Sequence, residues 1–302
     1  MEKYFPQQSA EKPSLTGTNL NRDIPNYTVN IPDKGQGESV SLLPGMSRRH
    51  LYITVLIYFL MIAVAEIITA YFDPKTGIII HGILMFAMFG HASFIYPTNK
   101  DLANLLMCIG LAPLIRIISL CTPLSSFSYI YWFLVLSIPL FSGILVVRAI
   151  QALSEDAIGL VFNIRKLHWE VIIVVFGFPM GIIEYWILEP ESIINELTLQ
   201  KLIAPALIMI ICTGLIEELI FRGLIQFNAI RVFGTWIGIL LTSALFGFLH
   251  TGNLNVVSVF FAFAVGFVYS LIRLRTGSII GISLSHGILN CMLFLIMPLD
   301  PF

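Results

Sequence analysis

Two adjacent carboxylates and an arginine stand in an otherwise apolar run, Gly214-Leu215-Ile216-Glu217-Glu218-Leu219-Ile220-Phe221-Arg222-Gly223. A charged residue at the centre of a lipid-spanning helix costs about 2.5 to 3.5 kcal/mol, so such groups face protein or water and pair with one another. Glu218 and Arg222 are four residues apart, on one helix face and within reach of an ion pair. Glu217 lies about 100° around the helix and has no local partner. Two further apolar segments carry polar residues: Phe246-Gly247-Phe248-Leu249-His250, and Ser285-His286-Gly287-Ile288-Leu289-Asn290, where His286 and Asn290 are again four apart. These residue types suit amide hydrolysis. A glutamate desolvated by burial can act as general base or acid near neutral pH, and histidine and asparagine can donate hydrogen bonds to a developing oxyanion. The bland alternative is a structural charge network holding helices together, with His250 a hydrogen-bonded residue at a helix end.

Other intramembrane protease chemistries lack their residues. There is no H-E-x-x-H and no G-x-G-D; Gly281-Ile282-Ser283 is followed by Leu284, so G-x-S-G is missing too, and no G-x-x-x-x-G-K loop is present to cradle phosphate. Cys108, Cys121, Cys212 and Cys291 show no C-x-x-C spacing and read as small apolar side chains within helices.

Positioning such groups requires apolar helices. The 302 residues are 57% hydrophobic and 12% charged, against about 25% charged in ordinary soluble domains. Eleven of the 35 charged residues fall in the first 50 positions, leaving 24 for the other 252. The fold class expected is all-α, a polytopic integral membrane bundle of eight or nine transmembrane helices. At about 20 apolar residues per crossing, spans are predicted near 51–72, 77–97, 102–121, 127–147, 169–188, 202–224, 235–250, 255–272 and 278–297. Residues 1–47, with five prolines and a polar composition, read as a disordered cytoplasmic tail. Residues 48–199 read as a transmembrane scaffold and 200–302 as the catalytic core. Arg48-Arg49 with Ala63-Val64-Ala65 imitates a twin-arginine signal, but the apolar run is too long and more membrane follows. With the N-terminus inside, nine Lys and Arg flank the spans on the cytoplasmic side (Arg48, Arg49, Lys100, Arg148, Arg165, Lys166, Arg231, Arg273, Arg275) against Lys75 and Lys201 outside, the bias expected of that orientation. A net charge of -1 provides no basic surface for nucleic acid.

Within these spans Glu66, Arg116 and Glu184 are expected to pair structurally, and His81 and His91 to face cavities or interfaces. On the predicted boundaries Glu217 lies in the cytoplasmic half of its span and His250 at the outer end of the next. Bringing them together then calls for a tilted, broken or re-entrant helix, with non-helical backbone tolerated only against protein or water.

The three motifs, Glu217-Glu218-x-x-x-Arg222, Phe246-x-x-x-His250 and His286-x-x-x-Asn290, resemble those of the CPBP (abortive-infection) family, which groups type II CAAX prenyl proteases with bacteriocin-processing and immunity proteins. The resemblance covers about residues 200 to 297. It implies a glutamate-dependent intramembrane peptidase in which Glu217, aided by His250, activates water, His286 and Asn290 form the oxyanion hole, and Glu218 and Arg222 hold geometry and charge balance. Its partners would be the bilayer and a peptide or prenylated-protein substrate. The resemblance leaves room for zinc on Glu217, His250 and His286. Catalysis without a metal or other cofactor is expected instead, because the i, i+4 partner of His286 is an amide rather than a second strong ligand. A transporter, in which intramembrane Glu, His and Arg build relays, and a non-catalytic immunity or scaffold protein remain the alternatives.

Overall fold

The computed structural model describes residues 48–123, 128–162 and 164–299. The expected tail at 1–47 and the predicted start of the fourth span at 127 lie outside the described residues. Within them the chain is helical, and nine helices are long and apolar enough to cross a membrane: α1 Arg49–Tyr71, α2 Pro74–Ile95, α3 Lys100–Cys121, α4 Tyr129–Gln151, α5 Ile164–Leu188, α6 Leu199–Phe233, α7 Thr235–Asn253, α8 Val256–Thr276 and α9 Ile280–Leu299. The outward faces are apolar. On α1, Leu56, Leu60, Val64 and Ile67 recur at helical spacing and are all more than 40% exposed, a stripe suited to acyl chains, while Ile62, Ala65 and Glu66 on the other side are fully buried.

Caps are polar where the chain leaves the apolar layer. Asp73 accepts from the amides of Lys75 (3.3 Å) and Thr76 (2.9 Å) ahead of Pro74 in the first turn of α2. The Thr76 hydroxyl and amide hold this exposed carboxyl below its usual range. The cap is therefore intact at neutral pH and is lost only as pH falls through that lowered value.

The sixth span departs most from expectation. Its helix does not stop near 224 but runs to Phe233, 35 residues in all, about 50 Å against an apolar layer about 30 Å thick. Gln226, Asn228 and Arg231 resemble a polar loop in sequence, yet Gln226 and Asn228 are 2% exposed. Gln226 donates to the Ser270 carbonyl at 3.0 Å, Asn228 to Gln151 Oε1 at 2.9 Å, and Arg231 pairs with Asp101 at 3.1 Å. The helix reverses at Gly234, whose φ of +82° lies in the region favouring glycine. Glu217 lies 17 residues before that reversal and His250 16 after it, about 25 Å along each helix. Their difference in depth disappears, and no re-entrant segment is needed.

Helix α6 is also irregular. Met209–Leu215 and Leu219–Ile225 are π-helical, and between them lies a three-residue α-helical piece, Ile216–Glu218. The Thr213 hydroxyl donates to the Met209 carbonyl inside the first π segment, competing with the backbone for that acceptor. Such segments concentrate at functional sites.

Helix α9 is the most enclosed of the nine and packs chiefly on α5 and α6. Glycines permit the approach. A Cβ at Gly214 would stand 2.5 Å from the Ser283 carbonyl oxygen and 2.8 Å from the Gly287 nitrogen. On the other flank Gly177 abuts the Ser285 carbonyl, and a Cβ at Gly181 would lie 2.5 Å from Met292. This small-x-x-x-small pair on α5 lets backbones meet where lipid supplies no hydrophobic drive. Gly214→Ala is expected to cost about 1–3 kcal/mol of stability by overpacking, read as a lower thermal midpoint in detergent. Gly82→Ala, at a position with nothing within 4 Å, should leave the midpoint unchanged.

Candidate active site

The short α-helical piece between the two π segments of α6 presents its two glutamates to different surroundings. Glu218 is sealed, with no exposed side-chain surface, and its Oε1 accepts from Arg222 Nη1 at 2.9 Å and from His286 Nδ1 at 2.9 Å. Arg222 is fully buried as well. Its guanidinium lies 4.5 Å from the Phe246 ring centroid, 5.6 Å from Tyr269 and 5.8 Å from Phe221, an aromatic enclosure that stabilises a desolvated cation. Tyr269 in turn donates to the Ser285 hydroxyl at 3.0 Å, beside His286. Glu217 is different: 31% of its side-chain surface is open, and its Oε2 stands 4.0 Å from His286 Nε2. One imidazole thus spans both carboxylates, held through Nδ1 by the sealed one and facing the open one through Nε2.

His250 and Asn290 extend the site in opposite directions. The Nδ1 of His250 donates to the Phe246 carbonyl at 2.8 Å, which fixes the proton on that nitrogen and leaves Nε2 as an acceptor. The Phe246 ring lies between the histidines, 4.8 Å from His250 and 5.9 Å from His286 by centroid. Among the described residues His250 makes no hydrogen bond or ion pair with either glutamate. Asn290, one turn beyond His286, donates to the Thr213 hydroxyl at 2.8 Å, leaving its second amide hydrogen unassigned. Of the six residues singled out in sequence, Glu217, Glu218, Arg222 and His286 form one contiguous cluster. His250 joins it across Phe246, and Asn290 through the adjoining turn of α9.

The expected pairing of Glu66, Arg116 and Glu184 holds only for the first two. Arg116 forms a fork on Glu66, with Nε to Oε1 at 3.0 Å and Nη2 to Oε2 at 2.5 Å, and His81 lies 3.4 Å from the same carboxylate. His91 meets the Tyr58 hydroxyl at 3.1 Å. Glu184 stands elsewhere, 94% buried on α5, with His286 and Glu217 as its charged neighbours. Glu184, Tyr269 and Thr213 are the site residues that sequence reasoning missed. Glu184 was legible as an intramembrane carboxylate, but its partner was not; a lone Tyr or Thr in an apolar helix gives no signal.

Glu217, His250 and His286 do not converge as a ligand set. Among the described residues no three His, Cys, Asp or Glu side chains are grouped closely enough to hold a metal ion.

Residues 199–292 match the family model of the type II CAAX prenyl endopeptidase Rce1-like proteins. The stretch contains every motif residue above and agrees with the resemblance those motifs carry, while α1 to α5 fall outside it. No curated protein and no solved structure matches the chain.

Arg222→Met is expected to destabilise the fold by about 3–5 kcal/mol, because it strands the Glu218 charge in a sealed site. Adding Glu218→Gln should recover about 1–3 kcal/mol of that loss. Denaturation of the single and double variants in one detergent checks the coupling; simple additivity would mean that the two side chains do not interact.

Proposed function

We propose that the protein is an intramembrane endopeptidase that hydrolyses a peptide bond in a membrane-associated peptide or prenylated-protein substrate. The observation that carries this reading is the division between neighbouring glutamates: Glu218 is sealed and doubly bonded, while Glu217 is open and faces an imidazole. A purely structural network would have no use for the second, accessible carboxylate.

In the proposed reaction Glu217 takes a proton from a water molecule, with His250 Nε2 as a second acceptor for that water, and the oxygen adds to the scissile carbonyl carbon. The resulting oxyanion accepts from His286 Nε2–H and Asn290 Nδ2–H. Because Nδ1–H of His286 is directed at Glu218, a proton on Nε2 makes the ring an imidazolium. Glu217 and Glu218 are then offset by Arg222 and His286, and a protonated Glu184 leaves the site without net charge, as enclosure by lipid favours. Collapse of the intermediate breaks the C–N bond, and the proton held by Glu217 passes to the leaving amine. No step requires a metal.

Glu217→Gln should abolish cleavage while leaving the fold intact, and His250→Ala should slow it steeply. Asn290→Ala should cost about 10²-fold, the loss usual for one oxyanion donor. Turnover of prenylpeptide and unmodified peptide panels checks all three and identifies the substrate class. Activity that survives exhaustive chelation is expected; loss restored by zinc would replace the metal-free mechanism but keep the peptidase. Full cleavage by Glu217→Gln would remove Glu217 as the base, and no turnover of any panel member by the wild type would remove the peptidase and leave a transporter or an immunity-type scaffold.

We also propose a cytoplasmic N-terminus, from the nine Lys and Arg on one side against two on the other. A cysteine placed at Ser192 should react with an impermeant reagent in intact cells, and one at Ser9 should not. The reverse pattern inverts the topology.

A further inference from the structure

The Glu66–Arg116 pair does more than join two scaffold helices. Arg116 Nη2, besides its bond to Glu66, donates to the carbonyl oxygen of Leu249 at 2.7 Å. Leu249 immediately precedes His250 and begins the stretch where α7 tightens from α-helix into the 3-10 turn Leu249–Asn253. Where the α-helix tightens into a 3-10 turn its carbonyls keep only the poorer i→i+3 backbone bond, and in the apolar layer the second lone pair is met by a protein donor. The donor here is a guanidinium fixed by a two-bonded fork on a carboxylate with no exposed surface. Both groups are planar, and the fork sets their relative orientation as well as their distance. His81 of α2 lies 3.4 Å from the same carboxylate. Gly252 lies over the guanidinium, where a Cβ would come within 3.1 Å of Nη1. Three helices outside the family match thus converge on the end of α7 that bears His250.

We propose that Glu66 and Arg116 are positioning residues for His250, gripping the Leu249 carbonyl so that the last turn of α7 keeps the His250 Nδ1–H on Phe246 and directs Nε2 toward the site. The proposal rests on the peptidase reading only for its kinetic consequence; the orientation it describes can be observed without turnover. A buried ion pair is weak support for stability, since apolar residues of similar volume commonly serve as well. What apolar side chains cannot supply is a directed donor to a carbonyl oxygen.

Arg116→Lys keeps the charge but loses the planar fork, and is the decisive variant. Kinetics are measured on a substrate cleaved by the wild type, together with the thermal midpoint and imidazole nitrogen spectra of histidine-labelled protein in detergent, the His250 signal being assigned by its loss in His250→Gln. The expected result is a folded variant whose kcat falls about 10- to 100-fold, the scale of a small misplacement of a reacting group, with KM within threefold. Its His250 ring should pass from a single Nδ1-protonated tautomer to a mixture. The exchanged pair Glu66→Arg with Arg116→Glu should restore the thermal midpoint more than kcat, because it rebuilds the ion pair but moves the donor away from α7. Unchanged kcat and an unchanged tautomer in Arg116→Lys would overturn the proposal, as would an exchanged pair that restores stability and kcat together. If the wild type cleaves no substrate the peptidase reading fails instead, and the His250 tautomer alone still decides the positioning role.

Discussion

A carboxylate with no exposed surface, enclosed among helices that face lipid, is the constraint to which the other parts of the site answer. Glu218 cannot be hydrated, so its charge must be met by protein. Arg222 one turn away and His286 from α9 both meet it at the same oxygen. Each of these brings its own requirement. Arg222 is desolvated too and is enclosed by rings from α6, α7 and α8; His286 must come within 2.9 Å of a helix that side chains of ordinary size would hold away. The glycines on both sides of α9 satisfy that last requirement, so backbone contact at Gly214, Gly177 and Gly181 and the ion pair at Glu218 are parts of one solution.

The same constraint separates two residues adjacent in sequence. Helical geometry turns Glu217 about 100° from Glu218, enough to take it out of the sealed cluster while leaving it 4.0 Å from the imidazole that the cluster orients. The carboxylate of the proposed chemistry and the structural one are thereby held by one element. Thr213 belongs to the same arrangement. Its hydroxyl bonds back to Met209 within the first π segment and receives the Asn290 amide from α9, so the irregular turn of α6 supplies the anchor for the last residue of the motif set.

Much of this was legible in the sequence, for reasons that can be stated. Charges in an apolar helix are costly enough to stand out, and Glu217, Glu218, Arg222 and His286 did so at spacings that brought them together. The nine spans were legible because polar breaks separate apolar runs. What failed was the end of α6. Gln226, Asn228 and Arg231 carry the composition of a loop, and composition does not reveal that Ser270, Gln151 and Asp101 from other helices satisfy them. That error displaced His250 from Glu217 by several turns, and the apparent need for a broken helix followed from it. The π segments were equally hidden: in the first, the Thr213 hydroxyl shares the Met209 carbonyl and the turn packs against α9, neither of which local propensity reveals.

The division of the chain into scaffold and core also changes meaning in three dimensions. The family match begins at 199, and by sequence the first five spans carry no motif. Yet Glu184 of α5 is buried beside Glu217 and His286, Gly177 and Gly181 of the same helix press α9 into place, and Arg116 of α3 bonds the carbonyl next to His250. A motif search finds the residues of the proposed chemistry because their spacing within single helices is fixed by that chemistry. It passes over residues that hold those helices at a given height and rotation, because many side chains on many helices could do so. The two histidines illustrate the difference: His286 is oriented by a carboxylate of its own motif set, whereas the helix end bearing His250 is held by an ion pair from helices the motifs do not reach.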